Sequence, residues 1–490
     1  MKKLRNIEFL ATFRRILKNN SYLCHHKYAT KFKVAESSHR NIYKIMRITI
    51  VGAGSVGTHL AKYLSGEHMD IFIIDKDAGK LAMLDAEYNL MAVMGDGTDF
   101  STLRHAEVEK CDLFIAVTDV AERNIVACGM AKSMGAKMTV SRVDRYDYME
   151  KHNQDVLHSM GVDKVIFPEF LISKSIIESL KHSWARNWYE FNNGEMIMIG
   201  VRLTQNAPLS GIYLRDLPLA QRFFHVVLIR RNFITLIPNG NCQLLPNDVL
   251  YITTSAPKHE EVALLAGKQP FEIKRVLITG GDKITEMTLN NAPKQFMFTV
   301  VENDLERARA LTRNCPNCDV IHGEPSEYEV LEEAGVKRAD AFVALADTSE
   351  GNILSCLMAR DLGVRKTIAD VERQQFLNMA ESFKISAVLN KQMLMANAIF
   401  QILIDAGSLS SKCLVLPGAE VVRLEIKEGA RITKAKVKDL NIPEEITFAG
   451  LIRNGRSELV TGHTLFVPGD HILVVCLKGA LQKAKKLFGF

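Results

Sequence analysis

The chain is a tandem repeat. The run beginning at Cys111 (CDLFIAVTDVAERNIVACGMAKSMGAK) aligns without gaps on the run beginning at Ala339 (ADAFVALADTSEGNILSCLMARDLGVR). Asp112 matches Asp340, Phe114 matches Phe342, Asp119 matches Asp347 and Glu122 matches Glu350. Asn124 matches Asn352, Cys128 matches Cys356 and Gly135 matches Gly363, every pair 228 positions apart. Upstream, Arg47-Ile-Thr-Ile-Val-Gly-Ala-Gly parallels Arg275-Val-Leu-Ile-Thr-Gly-Gly-Asp, and Gly95-Asp96 parallels Gly323-Glu324. A one-residue gap intervenes, since Asp75 matches Glu302. Whatever the first half folds into, the second half is bound to fold into as well.

Within the first copy, short apolar runs fall at 47–51, 70–75, 91–94, 112–117, 138–141 and 163–166. Helical patterns lie between them, as at Ser55–Leu64 and Glu122–Met134. This alternation predicts an α/β fold, a doubly wound parallel sheet whose six strands suit a Rossmann-type order. Ile176, Ile177, Leu180, Trp184 and Trp188 then recur at helical spacing, predicting one helix over Ser173–Phe191, with a counterpart at Lys391–Ala406. Each follows a completed sheet, so each is expected to cross over to a partner.

A small α+β unit closes each half. Leu228-Ile-Arg-Arg-Asn aligns with Leu451-Ile-Arg-Asn-Gly, and Pro246-Asn-Asp-Val-Leu-Tyr-Ile with Pro468-Gly-Asp-His-Ile-Leu-Val. A Pro-x-Asp turn before an apolar strand suits a tight connection. The expected organisation is a basic extension over 1–45, a first Rossmann-like unit over 46–168, a crossover helix over 169–195 and a small unit over 196–268. The second half gives 272–390, 391–412 and 413–490 in the same order, with the linker near Gly267–Glu272.

At 490 residues the chain is long enough for three or four domains, and 47% apolar with 24% charged residues is ordinary globular usage. The net charge of +6 is deceptive. Residues 1–45 hold 11 Lys and Arg against 2 Asp and Glu, leaving 51 basic and 54 acidic residues for the rest. A mildly acidic body does not suit a binder of nucleic-acid backbone, so no nucleic-acid partner is expected. The basic extension reads as a transit-like segment, a surface-binding arm or a start assigned upstream of Met46; the last is favoured because the strand at 47 needs nothing before it. Nine scattered cysteines point to reduced thiols. No run of about 18 apolar residues predicts a membrane span.

Ile48-Thr-Ile-Val-Gly52-Ala53-Gly54-Ser55-Val56-Gly57 is a strand, a G-x-G-x-x-G turn and a helix start. Gly52 permits the tight turn, Gly54 lets backbone approach a pyrophosphate, and Gly57 lets helix pack on strand. The N–H groups near Ser55 and Val56 then face the phosphates. Asp75 ends the next strand 23 residues after Gly52, placed to accept hydrogen bonds from ribose hydroxyls. Its carboxylate repels a 2′-phosphate, which favours NAD(H) or an adenine nucleotide over NADP(H). Gly95-Asp96, Thr118, Asp119 and Arg142 lie at C-terminal strand ends, where such sheets bind ligands. Each also admits a plainer reading, turn chemistry for the first four and a surface ion pair for Arg142.

The second copy departs from the pattern. Asp282 stands where the close-approach glycine belongs, Thr285 replaces the packing glycine, Asp370 replaces Arg142, and Glu302 keeps the ribose acid. This predicts a structural half-site that binds dinucleotide weakly or not at all. Cys315-Pro-Asn-Cys318 with His322 lacks the second ligand pair of a structural zinc site, so no metal is expected. No nucleophile–base arrangement stands out, and no catalytic residue is assigned. An NAD-dependent oxidoreductase remains the rival reading, and would need a catalytic His, Lys or Tyr beside the nicotinamide.

Val51-Gly-Ala-Gly-Ser-Val-Gly57, Ile74-Asp75, Gly95-Asp-Gly-Thr98, Ala116-Val-Thr-Asp119, Asn124 and Arg142, with the degenerate second copy and two small units, resemble the RCK (KTN) family, regulators of potassium conductance. The doubled order resembles the regulatory subunits of Trk-type potassium uptake systems over residues 46–490. The resemblance implies a cytoplasmic protein, peripheral on the inner face of the membrane. It also implies a homotetramer under a potassium-translocating subunit of the TrkH/TrkG type. NAD(H), or ATP/ADP, would bind the first Rossmann unit at Gly52, Gly54, Gly57 and Asp75, and Thr118, Asp119 and Arg142 would report which ligand is present.

Overall fold

The computed structural model describes residues 46–65, 69–218, 223–405 and 412–489; the basic extension and residues 406–411 lie outside them. The first half opens with β1 (Met46–Val51), β2 (Met69–Asp75), β3 (Met91–Met94), β4 (Leu113–Ala116), β5 (Met138–Arg142) and β6 (Lys164–Ile166). They form one sheet in the order β3-β2-β1-β4-β5-β6, in which β1 and β4, β2 and β3, β4 and β5, and β5 and β6 pair in parallel. This is the predicted doubly wound order, and its reversal between β1 and β4 opens a crevice at the strand ends. The central strand β4 is buried on both faces, so it reads as the unbroken apolar run Leu113-Phe-Ile-Ala116.

The first small unit contains β7 (Asn187–Phe191), β8 (Met196–Arg202), β9 (Phe224–Arg231), β10 (Ile234–Leu236) and β11 (Val249–Ser255), ordered β10-β9-β11-β8-β7. The second half repeats both sheets. β12 (Arg275–Thr279), β13 (Met297–Glu302), β14 (Cys318–His322), β15 (Ala341–Ala344), β16 (Lys366–Asp370) and β17 (Ala387–Leu389) are ordered β14-β13-β12-β15-β16-β17. β18 (Lys412–Leu416), β19 (Ala419–Glu425), β20 (Ile446–Arg453), β21 (Arg456–Glu458) and β22 (His471–Leu477) are ordered β18-β19-β22-β20-β21.

The predicted helix over Ser173–Phe191 is corrected. The helix runs Pro168–Lys181, with proline in its first turn, where its missing N–H costs nothing. His182 leaves helical geometry, and Asn187–Phe191 becomes β7, paired antiparallel with β8. The decisive signal is Asn192-Asn193-Gly194, all three at positive φ, a hairpin turn that requires a strand before it. Trp184 and Trp188 mimic helical spacing while serving another core. Trp188 stacks on His182 with centroids 3.5 Å apart, and Trp184 joins the core of the first small unit.

The crossover expectation holds in a specific form. Ile172, Ile176 and Leu180 of helix Pro168–Lys181 are buried among Val276, Ile278, Ile284 and Phe296 of the second half. Reciprocally, helix Lys391–Asp405 packs on helix Ser55–Ser65 of the first half. The two small sheets also share a core, where Met196, Met198 and Tyr251 meet Leu416, Val421 and Val475. The chain is thus an intramolecular pseudo-dimer.

The small-unit alignment shifts by one residue. Arg231 Nε and Nη2 donate to the two carboxylate oxygens of Asp248 at 2.8 and 2.7 Å. Arg453 makes the same fork to Asp470 at 2.8 and 2.6 Å. Arg231 therefore corresponds to Arg453, and Arg230 to Ile452. The aspartate of each Pro-x-Asp turn is fixed by this bidentate pair, which depends on geometry that sequence similarity alone does not carry.

Lys366 of β16 is fully buried and donates to the main-chain O of Ala185 at 2.7 Å, beyond the end of the exchanged helix. Burial, with Arg186 and Lys268 nearby, pulls its pKa down to about 7 from 10.5. The unfolded chain then binds one more proton than the folded chain between about pH 7 and 10.5, so stability rises with pH across that window. Met138 holds the equivalent place in β5, so the sheet accepts a methionine there. Lys366→Met is expected to abolish this rise and to be no less stable than the wild type at pH 7. Melting temperatures from pH 6 to 10 in phosphate-free buffer check both points.

Candidate functional site

The glycine loop between β1 and helix Ser55–Ser65 takes the geometry its residues dictate. Gly52 has φ +105°, which L side chains rarely adopt, and its N–H donates to Ile74 O at 2.8 Å. A Cβ on Gly57 would lie 1.8 Å from Gly52 O, so helix and loop touch there only without a side chain. A Cβ on Gly54 would meet nothing within 4 Å. Gly54 is therefore not a packing glycine, and its bareness leaves room for a ligand at the helix N-terminus.

Asp75 closes the other side. Its Oδ2 accepts from Ala53 N–H at 2.5 Å and its Oδ1 from Asp77 N–H at 2.9 Å. The carboxylate is thus locked beside the loop, and each oxygen keeps a second lone pair for a ribose hydroxyl. Ser55 is exposed at the loop's open end while Val56 packs inward.

The remaining residues divide. Gly95 is a packing glycine, since a Cβ there would lie 2.4 Å from Thr102 Oγ1. Asp96 accepts from Thr98 N–H and Oγ1 and pairs with Lys76 at 2.6 Å, which hold its carboxyl down at about 2. Thr118 is engaged by Asn124, whose Oδ1 accepts from Thr118 N–H at 3.0 Å and Oγ1 at 2.6 Å. Asn124 Nδ2 donates to Thr118 O and to Arg142 O, both at 3.0 Å, stapling β4 to β5 at the crevice. Asn352 makes the equivalent staple through Ala346 and Asp370.

Arg142 lies between two acids. Nη1 donates to Asp119 Oδ1 at 3.3 Å, and Nη2 is 3.9 Å from Glu169 Oε1. Asp119 is almost fully exposed, which makes its pair with Arg142 weak. Glu169, buried in the first turn of helix Pro168–Lys181, also accepts from Lys391 Nζ at 3.0 Å, at the start of the other exchanged helix. Sequence reading missed Glu169 and Lys391 as functional candidates. The acid directly after Pro168 was visible, but its partners lie 27 and 222 positions away.

In the second copy, the corresponding loop is occupied from within. Asp282 caps helix Lys283–Asn291, accepting from Ile284 N–H at 2.9 Å and Thr285 N–H at 3.2 Å, the donors a phosphate would need. Thr285 Oγ1 donates to Gly280 O at 2.5 Å, filling the place of the packing glycine. Glu302 accepts from Gly281 N–H, and Arg307 Nη2 reaches it at 3.1 Å. A cleft of about 200 Å³ remains, lined by Asp282, Glu302, Arg307, Glu324 and Asp347. Asp370 Oδ1 is buried without a partner, and burial with Glu372 and Asp282 pushes its carboxyl up to about 7. Cys315 and Cys318 are free thiols, Cys315 pushed up to about 11 by burial, and His322 Nε2 faces Asn303 O at 3.1 Å.

This is a doubled Rossmann-type protein with helices exchanged between halves and one open glycine loop. Residues 48–168 and 276–391 match the TrkA-N domain, and residues 198–265 and 421–489 match the TrkA-C domain. The chain belongs to the TrkA family, built from TrkA-N and TrkA-C domains in two copies. It is 27% identical over 459 residues to the Trk system potassium uptake protein TrkA of Azorhizobium caulinodans, covering 90% of this chain and 98% of that one. A TrkA homolog of Archaeoglobus fulgidus is 28% identical over 446 residues, covering 90% and 100%. Among solved structures, the GsuK RCK domain shares the fold at TM-score 0.57 and 14% identity, covering 93% of this chain and 99% of that one. The GsuK channel bound to NAD does so at TM-score 0.55 and 14% identity, covering 94% and 83%.

The two glycines separate fold from ligand. Gly57→Ala forces a Cβ against main-chain oxygen and is expected to destabilise the chain by about 2–4 kcal/mol. Gly54→Ala is expected to leave the melting temperature within about 2 °C of wild type while weakening dinucleotide binding at least about tenfold. Thermal melts and a fluorescence titration with NADH read the two effects separately.

Proposed function

We propose that this chain is a cytoplasmic, peripheral regulatory subunit of a Trk-type potassium uptake system that binds NAD(H) in its first glycine loop. The reading rests on one observation: an unobstructed loop beside a fixed acid in one half, against a self-capped loop in the other. Relatives named as Trk system potassium uptake proteins support the transport role. The NAD of the GsuK channel, which has the same fold, supports the ligand. An adenine nucleotide offers Asp75 the same ribose hydroxyls, so ATP and ADP are the ligands to compare. The second loop, with Asp282 on its own N–H groups, binds dinucleotide weakly or not at all.

A ligand shifts an equilibrium only through different affinity for its two states. The element placed to differ is the ion-pair series Asp119, Arg142, Glu169 and Lys391, which runs from the rim of the first pocket to the start of the opposite exchanged helix. Phosphate near Arg142 competes with Asp119 and Glu169, which loosens or tightens the hold on Lys391. Through that helix the signal reaches the assembly, a homotetramer beneath a potassium-translocating subunit of the TrkH/TrkG type.

Asp75→Ala is expected to cost at least about tenfold in NADH affinity, about 1.4 kcal/mol, and to abolish support of potassium uptake in a complementation assay. Unchanged uptake with lost binding ends the regulatory reading. Steady consumption of NADH with a small substrate favours the oxidoreductase instead. Glu169→Gln is expected to bind NADH within about threefold of wild type yet to lose the nucleotide dependence of uptake. Equal dependence in the variant removes the ion-pair series from the mechanism.

A further inference from the structure

Away from both glycine loops, five cations converge where the first small unit meets the second Rossmann unit. Arg202, at the end of β8, donates from Nη2 to the main-chain O of Glu381 at 3.0 Å. Arg230 of β9 donates from Nε to the Glu381 carboxylate at 2.6 Å. Arg186, just before β7, donates to Ile385 O at 2.7 Å. Lys366 lies behind them on β16, bound to Ala185 O. Lys268, on the linker between the halves, completes the set, its field acting on Lys366 and that of Arg202 acting on it.

Among the described residues, Glu381 is the one carboxylate within ion-pair distance of any of the five. Burial and mutual repulsion hold Arg202 down at about 10, and burial pulls Arg186 and Lys268 below their ordinary values. Gathering like charges in a partly dry junction is unfavourable unless a counter-charge joins them.

The pseudo-symmetry supplies a control. β-ladder register places Glu425 opposite His471 as Arg202 is opposite Val249, and Ile452 opposite His471 as Arg230 is opposite Val249. Met138 takes the place of Lys366. The three equivalent positions hold Glu425, Ile452 and Met138, so Arg202, Arg230 and Lys366 have no basic counterpart across the pseudo-dyad.

We propose that this junction is a second ligand site, specific for a small oxyanion of the phosphate class. Arg186, Arg202, Arg230 and Lys268 are partly buried, and Lys366 is fully buried. Guanidinium forks match the oxygens of a tetrahedral anion, which suits a phosphate better than chloride. The main-chain and side-chain oxygens of one residue, Glu381, engage two of the arginines, so one compact set of oxygens bridges them. Bound there, the anion cross-links the β8–β9 end of the first small unit to the second Rossmann unit, and so stiffens the junction that the exchanged helix passes.

The test is inorganic phosphate titrated into the full-length protein in chloride buffer at constant ionic strength, followed by calorimetry and thermal melting. Saturable binding and a rise in melting temperature of about 2 °C or more are expected. The first glycine loop contributes equally to wild type and variants, so their difference reports the junction. Lys268→Glu supplies an internal counter-charge and is expected to melt no lower than wild type without phosphate and to lose the phosphate response. Arg202→Gln is expected to weaken phosphate at least about tenfold while NADH binding is unchanged. A phosphate response of equal size in wild type and both variants overturns the proposal, as does its absence in the wild type at about 10 mM phosphate. Lys268→Glu melting lower while still responding to phosphate overturns it too.

Discussion

The exchange of helices between the two halves is the constraint on which the structure rests. Each six-stranded sheet is apolar on both faces, and an uncovered face would expose Val276, Ile278 and Val300 to water. The second sheet buries them under Ile172, Ile176 and Leu180, which come from the first half. At about 25 cal/mol per Å² of apolar surface removed from water, a helix face of this kind contributes several kcal/mol. Neither sheet is complete without the other half's helix, so the two halves cannot separate without opening two cores. Each exchanged helix is thus a packed element of the half opposite to its own.

Duplication explains which residues stayed alike and which drifted. Asn124 and Asn352 make the same three main-chain hydrogen bonds, because each staples two strands at a crevice where their ladder ends. Arg231–Asp248 and Arg453–Asp470 persist for a similar reason, each fixing a turn by a bidentate pair. The glycine loop obeys another rule. A helix N-terminus needs its N–H groups satisfied by something. In the second half Asp282 satisfies them from within; in the first half Gly54 stands at that position and has no side chain to do so.

Much of this was legible in the sequence, because the signals were local. The six strand positions of the first sheet were readable from apolar runs and fall within two residues of the observed ends. The turn and packing roles of Gly52 and Gly57 followed from spacing and agree with the contacts found. What failed was decided by tertiary context. Trp184 and Trp188 are four apart, a spacing that fits a helix, whereas the Asn192-Asn193-Gly194 turn places Trp188 in a strand. The small-unit alignment slipped by one residue because adjacent arginines at 230 and 231 look interchangeable, yet only Arg231 forks onto Asp248. The partners of Thr118 and Asp96, which are Asn124 and Lys76, also come from tertiary context rather than from a local pattern. Glu169 and Lys391 escaped notice since no local pattern links residues 222 positions apart.

The pseudo-dyad relates two crevices of different charge. In a symmetric pair, both crevices would present an arginine to phosphate and both exchanged helices would begin alike. Here Arg142 has Asp370 as its counterpart, and the acid Glu169 meets the base Lys391 across the axis. Opposite charges at the two helix starts give an attraction that a symmetric pair of identical residues cannot have. That attraction runs through the buried Glu169 carboxylate, whose Oε1 faces both Arg142 and Lys391 while Oε2 has no hydrogen-bond partner. The self-capped second loop and the charged link across the axis are therefore two sides of one asymmetry between halves of the same fold.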